Sequence, residues 1–345
     1  MGFGVSGCGI IVIFTLLITG KTIFYGALDW GLGHATRSVP IIKELLKDNR
    51  VILGVTPLTR FIFNEEFPEL KKTDLPAYNV TYSKILPLWI KLGLNAPRIS
   101  KVIAAEKVEL EKIIRENRID LVISDNRFGL HSEKTHNIFI THQLFLKAPV
   151  FEGFGNKINQ NYISGFQEVW VPDLENEKES LSGELSHGKH FHNHVKYIGP
   201  QSRLKDVAVP YEKNKYDLLI LLSGPEPKRT ELEKQLLEKL KASNKKIALV
   251  RGTEFGARSS ERSVEVYDLP SKEKLKELIL SSEKIICRSG YSTLMDMHAL
   301  EKKDLILIPT PGQTEQEYLA EYWKEKFGAA VVKQNEINKL INFTS

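Results

Sequence analysis

Cysteine is scarce in this sequence, since only Cys8 and Cys287 occur among 345 residues. Two thiols cannot form a disulfide framework, which indicates a reducing compartment and predicts a cytoplasmic protein. The apolar run over residues 10–18 is too short to span a bilayer comfortably, and no Lys or Arg precedes it as in a signal peptide. Residues 1–20 are therefore an upstream start-site artefact, a weak membrane anchor or a genuine extension, and we favour the first interpretation.

Signatures of nucleic-acid binding are also missing. The sequence contains no zinc finger, aromatic–basic RNA motif or array of basic helices. Its net charge of +5 would help at an anionic membrane surface, but it does not by itself indicate a nucleic-acid partner. With 42% hydrophobic and 26% charged residues, the chain is typical of soluble globular proteins, and its length favours two domains.

One strand–turn–helix segment near the C-terminus carries the most informative pattern. An apolar strand over residues 283–286 leads into Ser289 and Gly290, and a helix-forming segment follows. A helix N-terminus offers N–H donors and a positive dipole end, which suit a diphosphate. Thr293 would add a hydroxyl in the first turn, and Asp296 could accept hydrogen bonds from a ribose diol. The alternative is an ordinary turn in a parallel sheet.

A second polar turn follows the next predicted strand, over residues 305–309. Residues 310–318 begin with a Pro/Gly turn that opens another helix. Both turns are predicted on the sheet edge where open α/β sheets bind ligands. The side chains of Gln316 and Glu317 would suit sugar hydroxyls there.

The N-terminal part begins with a strand over residues 22–28 and a glycine turn containing Gly31 and Gly33. The turn lacks the third glycine of the dinucleotide fingerprint, so dinucleotide binding is not predicted. His34 lies at the opening of the next helix, where a neutral imidazole could take a proton from a hydroxyl near pH 7. The alternative for His34 is a capping or packing role.

Polar residues also end two further predicted strands of this half. Asp125 and Arg127 follow one strand, and His142 follows the next. We expect these side chains at the same sheet edge as the glycine turn, which makes them candidates for a site. A buried Asp–Arg pair that holds a loop is the alternative.

Two segments carry weaker signals. Residues 82–103 interleave apolar and basic side chains, which could lie on a membrane surface and present a lipid-linked acceptor. A packed helix with a solvated basic face is the favoured alternative. Residues 187–194 contain four histidines without a Cys or clear carboxylate, so a polar loop is favoured over a metal site.

The chain divides at a polar segment over residues 201–215, which we interpret as a linker. An N-terminal domain is predicted over residues 21–200. A new series of strands and helices begins at residue 216 and defines a C-terminal domain over residues 216–345. Its first strand ends at Ser223 and Gly224.

These motifs resemble those of GT-B glycosyltransferases, in particular the MurG-type UDP-N-acetylglucosamine transferases and their monogalactosyldiacylglycerol synthase relatives. The resemblance covers most of residues 21–333, and its most specific parts are Cys287-Arg288-Ser289-Gly290 with Thr293 and Asp296, and Gln316-Glu317. It implies an α/β fold of two Rossmann-like domains whose parallel sheets face across a cleft. The chain departs from the family at Asp296, usually Glu, and at Glu317, usually a second Gln.

The resemblance also implies roles for matching positions. His34 would be the base that activates the acceptor hydroxyl, with inversion at the anomeric carbon. No metal or cofactor is implied, because helix dipoles and N–H donors can stabilise the leaving diphosphate. The acceptor-side positions would be Gly31, Gly33, Asp125, Arg127 and His142. The donor-binding positions would be Ser223, Gly224, Arg288, Ser289, Gly290, Thr293, Asp296, Gln316 and Glu317.

The sequence therefore predicts an inverting, metal-independent glycosyltransferase. It would move a hexose or N-acetylhexosamine from a UDP-sugar to a glycan or lipid-linked acceptor. We expect it in the cytoplasm, with peripheral contact at the inner membrane face through residues 82–103. The alternatives are a UDP-GlcNAc epimerase of the same fold and a catalytically inactive nucleotide-sugar-binding protein.

Overall fold

The computed structural model describes residues 18–79, 95–148, 152–188, 194–224, 226–241, 243–253 and 264–340. These residues form two compact units, one with the described residues up to Ser202 and one with those from Arg203 onward. Each unit contains a parallel β-sheet with helices between its strands. The prediction of two Rossmann-like α/β domains is thus confirmed. The predictions for residues 1–17, 80–94 and 189–193 lie outside the described residues.

The N-terminal sheet has the strand order β3-β2-β1-β4-β5-β6-β7, and all neighbouring pairs in it are parallel. Its central strands are buried along almost their whole length, as parallel strands covered by helices on both faces must be. The strands are β1 (Thr22–Ala27), β2 (Arg50–Val55), β3 (Lys72–Asp74), β4 (Leu121–Asp125), β5 (His136–Ile140), β6 (Glu168–Val171) and β7 (His194–Tyr197). The helices are α1 (Gly33–Leu45), α2 (Pro57–Glu66), α3 (Ala96–Asn117) and α4 (Glu152–Ile163), with a 3₁₀ turn at Gly183–Leu185.

The order of the N-terminal strands reverses between β1 and β4. These two strands are neighbours, with Ala27 opposite Asp125, although β2 and β3 separate them in the chain. The connections that leave the two strands run to opposite sides, and such a reversal point is where open α/β sheets bind ligands. The fold therefore places the glycine turn and the end of β4 at the position where a site is expected.

The C-terminal sheet has the order β10-β9-β8-β11-β12-β13, again with parallel neighbours, and its order reverses between β8 and β11. Leu221 at the end of β8 lies opposite Cys287 at the end of β11. The strands are β8 (Tyr216–Leu221), β9 (Ile247–Val250), β10 (Val264–Tyr267), β11 (Ser282–Cys287), β12 (Leu305–Leu307) and β13 (Ala330–Val331). The helices are α5 (Lys228–Leu240), α6 (Lys272–Ser281), α7 (Tyr291–Ala299) and α8 (Thr314–Phe327), with a 3₁₀ segment at Gln334–Leu340.

Helix α3 occupies the last part of the segment that was predicted to contact a membrane. Within that segment, Ile103 is buried in a cluster with Leu28 and Tyr78, and Ile99 and Val102 pack against this cluster. From Ala96 onward this segment is therefore a packed helix, as the alternative interpretation has it. Among the described residues, no helix is both long and apolar enough to cross a membrane.

Candidate active site

In the N-terminal unit, the candidate site forms where helix α1 begins beside the end of β4. Gly31 has a φ of +125°, a conformation that favours glycine, and it turns the chain from β1 into the helix. The helix starts at Gly33, so His34 lies in its first turn, with 17% of its side chain exposed. His34 Nδ1 lies 2.8 Å from Asp125 Oδ1. His34, the residue predicted as the base, thus contacts a carboxylate.

Arg37 binds the same carboxylate from the next turn of α1. Its Nε donates to Asp125 Oδ2 at 2.8 Å, its Nη2 donates to Asp125 Oδ1, and its Nη1 lies 2.9 Å from His142 Nδ1. Arg37, Asp125 and His142 are at most 4% exposed. The helix start, the end of β4 and the loop after β5 are therefore joined by one buried network of four side chains.

The charges in this network shift the pKa values of Asp125 and His34, which contact each other. Burial opposes ionisation of Asp125, but Arg37 and His34 outweigh it and hold the pKa of that carboxyl well below its usual range. Burial and then the Arg37 charge lower the pKa of His34, against the opposing effect of Asp125. Asp125 is therefore ionised and His34 neutral at pH 7. A neutral imidazole held by a carboxylate is suited to accept a proton.

Arg127 occupies a different position from the rest of the predicted acceptor-side residues. Its side chain is 0% exposed, and its Nε donates to Glu106 Oε1 at 2.7 Å. Its remaining nitrogens donate to the carbonyls of Ala27 and Pro76. The alternative prediction, a buried pair of Asp125 with Arg127, is wrong: Asp125 pairs with Arg37. Arg127 and Glu106 form a second buried ion pair, which holds the loops after β1 and β3.

An aromatic cluster lies beside the Arg127–Glu106 pair, where the Arg127 guanidinium is 5.2 Å from the ring centroid of Tyr78. Trp30, directly after β1, packs edge-on against Tyr78, with 6.3 Å between the ring centroids. Phe128 stacks on Tyr162 of α4, with 4.8 Å between centroids. Both pairs belong to one apolar cluster that also contains Leu28. The loops after β1 and β4 therefore contribute aromatic side chains to one cluster, which the sequence analysis did not identify.

In the C-terminal unit, the two predicted turns are joined by hydrogen bonds. Ser289 Oγ donates to the main-chain oxygen of Gln316 at 2.7 Å. Gln316 Oε1 in turn accepts from Thr310 N at 2.9 Å, and Glu317 Oε1 accepts from Gly312 N at 2.9 Å. The turn before α7 and the turn before α8 therefore form one assembly at the carboxyl ends of β11 and β12.

Gly290 is the N-cap residue of α7, and its backbone leaves the first turn of the helix open to a close approach. A Cβ at this position would meet Gln316 Nε2 at 3.9 Å, which is ordinary contact distance. Thr293 and Asp296 are partly buried within the first two turns of this helix, as predicted. Their position agrees with the geometry expected for an anion at the helix N-terminus, with a carboxylate one turn away.

Arg288 extends into the interior of the unit. It is 1% exposed, and it donates to the carbonyls of Ile308, Pro309 and Lys228 and to Gln334 Oε1, each within 3.1 Å. Burial lowers its pKa to about 10, so it keeps its positive charge at neutral pH. Arg288 therefore braces the backbone around the two turns and places a cation behind them.

Thr310 is a residue that the sequence analysis missed. It is 2% exposed, and its Oγ1 has no hydrogen-bond partner among the described residues. This hydroxyl lies 3.9 Å from the position of a Cβ on Gly224, whose φ of +96° requires glycine. Ser223, just before it, is partly buried. An unsatisfied buried hydroxyl is costly without a partner, which makes Thr310 Oγ1 a candidate contact for a ligand.

The histidine-rich segment over residues 187–194 was predicted to be a polar loop rather than a metal site. In the described part of that segment, His187 stacks on Tyr197 with 4.7 Å between centroids, and its Nδ1 lies 2.8 Å from Ser186 Oγ. Over all described residues, no group of three or more His, Cys, Asp or Glu side chains is arranged to hold a metal ion.

Comparisons with known proteins give one partial match to a family and several similar structures. Residues 226–344 match the Glycosyltransferase family 28 C-terminal domain. Among solved structures, the chain is similar to the glycotransferase of kitacinnamycin (13% identity, TM-score 0.66, covering 94% of this chain and 91% of that chain). It is also similar to Acinetobacter baumannii MurG (12%, 0.57, 93% and 90%) and to Phytolacca americana UGT2 (12%, 0.62, 94% and 90%). A comparison with curated protein sequences gives no match.

The matched domain contains both turns of the C-terminal unit, and the similar structures cover most of the chain. The chain therefore has the two-domain GT-B fold of glycosyltransferases, which confirms the predicted fold class. The family 28 domain and the GT-B neighbours together support a glycosyltransferase. The narrower resemblance to the MurG and monogalactosyldiacylglycerol synthase group stays a prediction.

Proposed function

We propose that this protein is an inverting, metal-independent glycosyltransferase that moves a hexose or N-acetylhexosamine from a UDP-sugar to a glycan or lipid-linked acceptor. The observation that carries the proposal is the contact between His34 Nδ1 and the buried carboxylate of Asp125, at the reversal point of the N-terminal sheet. A base in this position needs a donor site to act with, and the paired turns of the C-terminal unit have the chemistry for one.

In the proposed reaction, the Nε2 lone pair of His34 takes the proton of an acceptor hydroxyl. The freed oxygen attacks the anomeric carbon while the bond from that carbon to the diphosphate oxygen breaks, so the configuration inverts. Asp125 accepts a hydrogen bond from His34 Nδ1 and stabilises the imidazolium that forms. General base catalysis of this kind contributes typically about 10²–10⁴-fold to a rate.

On the donor side, the N-terminus of α7 would bind the diphosphate through its N–H groups and its positive dipole end. Ser223 and the unsatisfied Thr310 hydroxyl would add hydrogen bonds, and the buried Arg288 cation would favour the negative charge. Asp296 would bind the ribose diol, and Gln316 with Glu317 would bind sugar hydroxyls. These donors need no metal ion to stabilise the leaving group.

The choice of UDP as nucleotide rests on analogy. Phytolacca americana UGT2 was solved with UDP-2fluoro-glucose and pterostilbene, and it shares the fold of this chain. The acceptor class is supported by the aromatic cluster of Trp30, Tyr78, Phe128 and Tyr162, to which the loop between β1 and His34 contributes Trp30. Such a surface favours an acceptor with an apolar part, as in a lipid-linked glycan. The proposal places the reaction in the cytoplasm, at the inner membrane face.

The test is calorimetric titration of the chain with UDP, UDP-GlcNAc, UDP-glucose and UDP-galactose in the presence of EDTA. The proposal expects micromolar binding of UDP and a preference for one of the three sugars. The Asp304→Ala variant is the control and should bind UDP as the wild type does, because this carboxylate is exposed in the loop between α7 and β12. Absence of binding to all four compounds would refute the assignment of the donor.

A further inference from the structure

Arg37 contacts Asp125, which is the partner of His34, and it also contacts His142 directly. Its Nε and Nη2 bind the two oxygens of Asp125, and its Nη1 reaches His142 Nδ1 at 2.9 Å. The guanidinium is 2% exposed and therefore has little freedom to leave these partners. One side chain thus links the environments of His34 and His142.

The hydrogen positions in this network follow from which groups can donate. An arginine has only donors, so His142 Nδ1 must accept from Arg37 Nη1, and the proton of a neutral His142 lies on Nε2. An ionised Asp125 has only acceptors, so His34 Nδ1 must donate to it, and the free lone pair of His34 lies on Nε2. The two imidazoles are therefore held in opposite tautomers.

We propose that Arg37 is a positioning residue for both histidines. It offsets the charge of Asp125 and so holds His34 as a neutral Nδ1–H base, and it donates to His142 Nδ1 and so holds His142 as a neutral Nε2–H donor. The catalytic consequence rests on the proposed function, whereas the protonation states do not. A carboxylate alone would orient His34 but would also stabilise its imidazolium. Arg37 leaves the orientation in place and removes most of the electrostatic preference for the charged form.

The groups that face His34 in the described structure are consistent with this balance. Arg37 and Ser38 belong to the same helix as His34. Asp125 comes from the end of β4, and His142 comes from the loop after β5. Tyr25 of β1 closes the far side and donates from its hydroxyl to Ser38 Oγ at 2.9 Å. Burial and the nearby carboxylate raise the pKa of this tyrosine, so it stays uncharged. One anion and one cation therefore cancel, and protonation of His34 would leave a buried net positive charge.

The wild-type protein provides the first test, through the ¹⁵N chemical shifts of its histidine side chains at pH 7. The proposal expects the hydrogen-bearing nitrogen to be Nδ1 in His34 and Nε2 in His142, with both rings neutral. Assignment uses His34→Gln and His142→Gln. The same tautomer in both rings, or a protonated His34, would overturn the proposal.

The second test compares Arg37→Gln with Arg37→Lys. Loss of the cation in Arg37→Gln should move the titration of His34 upward by about one pH unit or more, whereas Arg37→Lys should restore most of the wild-type value. An unchanged His34 titration in Arg37→Gln would contradict the proposal. Where Arg37→Gln does not fold, the Arg37→Lys titration and the wild-type tautomers still decide the matter.

Activity measurements separate this inference from the proposed function. If the chain transfers sugar, the acidic limb of its kcat/KM profile should move upward together with the titration of His34 in Arg37→Gln, with little change in UDP affinity. If the titration moves while no variant and no wild-type protein transfers sugar, the positioning role stands and the transferase assignment fails. If transfer is found but the acidic limb and the titration both stay in place, the positioning role fails alone.

Discussion

The two units present different chemistry at equivalent points of similar sheets. At the reversal point of the N-terminal sheet, four titratable or charged side chains are joined in a buried network around Asp125. At the corresponding point of the C-terminal sheet, the turns before α7 and α8 offer hydroxyls, amides and backbone groups, with the charge of Arg288 set behind them. One fold thus presents charged and titratable groups in one unit and mainly hydroxyl, amide and backbone groups in the other, because the sheet fixes only where the strand ends meet.

The largest effect that would sharpen this comparison is expected from His34→Ala. Removal of the base should lower kcat by about 10²–10⁴-fold, while UDP affinity, a property of the other unit, stays near the wild-type value. Turnover and calorimetric titration measure the two quantities. His136→Ala is the control, because this histidine is 47% exposed at the start of β5. A kcat within a few-fold of wild type would remove His34 as the base.

Asp296→Ala tests the other side of the comparison and should act on binding. Loss of hydrogen bonds between a carboxylate and a ribose diol should weaken UDP binding by about 1.5–3 kcal/mol. The fold should be retained, since Asp296 is only partly buried. Titration with UDP and with free phosphate measures the change, and Asp304→Ala is the control. Equal affinities in the variant and wild type would exclude contact with the ribose.

Thr310→Val addresses the hydroxyl that has no partner in the described structure. The change should weaken UDP binding by about 0.5–1.5 kcal/mol, the net contribution of one hydrogen bond. It should not lower the Tm, because Oγ1 donates to none of the residues that the structure describes. Thr310→Ser is the control and should bind as wild type does. A drop in Tm with unchanged affinity would show a structural role for this hydroxyl.

The smallest effect is expected from Gly290→Ala. Its backbone φ is −72°, and a Cβ would meet only ordinary contacts, so the Tm should change little. The added methyl group would stand where a phosphate approaches the helix, which should weaken UDP binding by less than about 1 kcal/mol. Gly153→Ala, where a Cβ meets nothing within 4 Å, is the control and should leave UDP affinity unchanged. Tighter UDP binding in Gly290→Ala would contradict the proposed approach of the phosphate.

The sheets and the location of the turns could be predicted because their signals are local. Runs such as residues 51–55 and 305–309 are apolar throughout and end at polar or Gly/Pro residues, as buried parallel strands do. The position of His34 at a helix start follows from the glycine turn before it. Thr293 and Asp296 could be placed on one helix by their spacing alone.

The partners within the site could not be predicted in the same way. Arg37 and Arg127 are both near Asp125 in space or sequence, and only the packing of α1 against β4 decides which of them binds it. Glu106, which forms the buried ion pair with Arg127, lies on a helix 21 residues before Arg127 in the chain, and no local pattern marks it. Thr310 was missed for a related reason, because an unsatisfied hydroxyl is recognised only once its surroundings are known.

The hydrogen bond from Ser289 Oγ to the main-chain oxygen of Gln316 has a consequence for engineering donor preference. It fastens the turn that would hold the phosphates to the residue that would read the sugar, and the bond from Thr310 N to the Gln316 side chain fastens the other end. A substitution of the Gln316 side chain would therefore release Thr310 N, whereas the bond from Ser289 Oγ to the main chain would stay in place. Residues 287–296 and 308–317 are better exchanged between related enzymes together, as a single cassette.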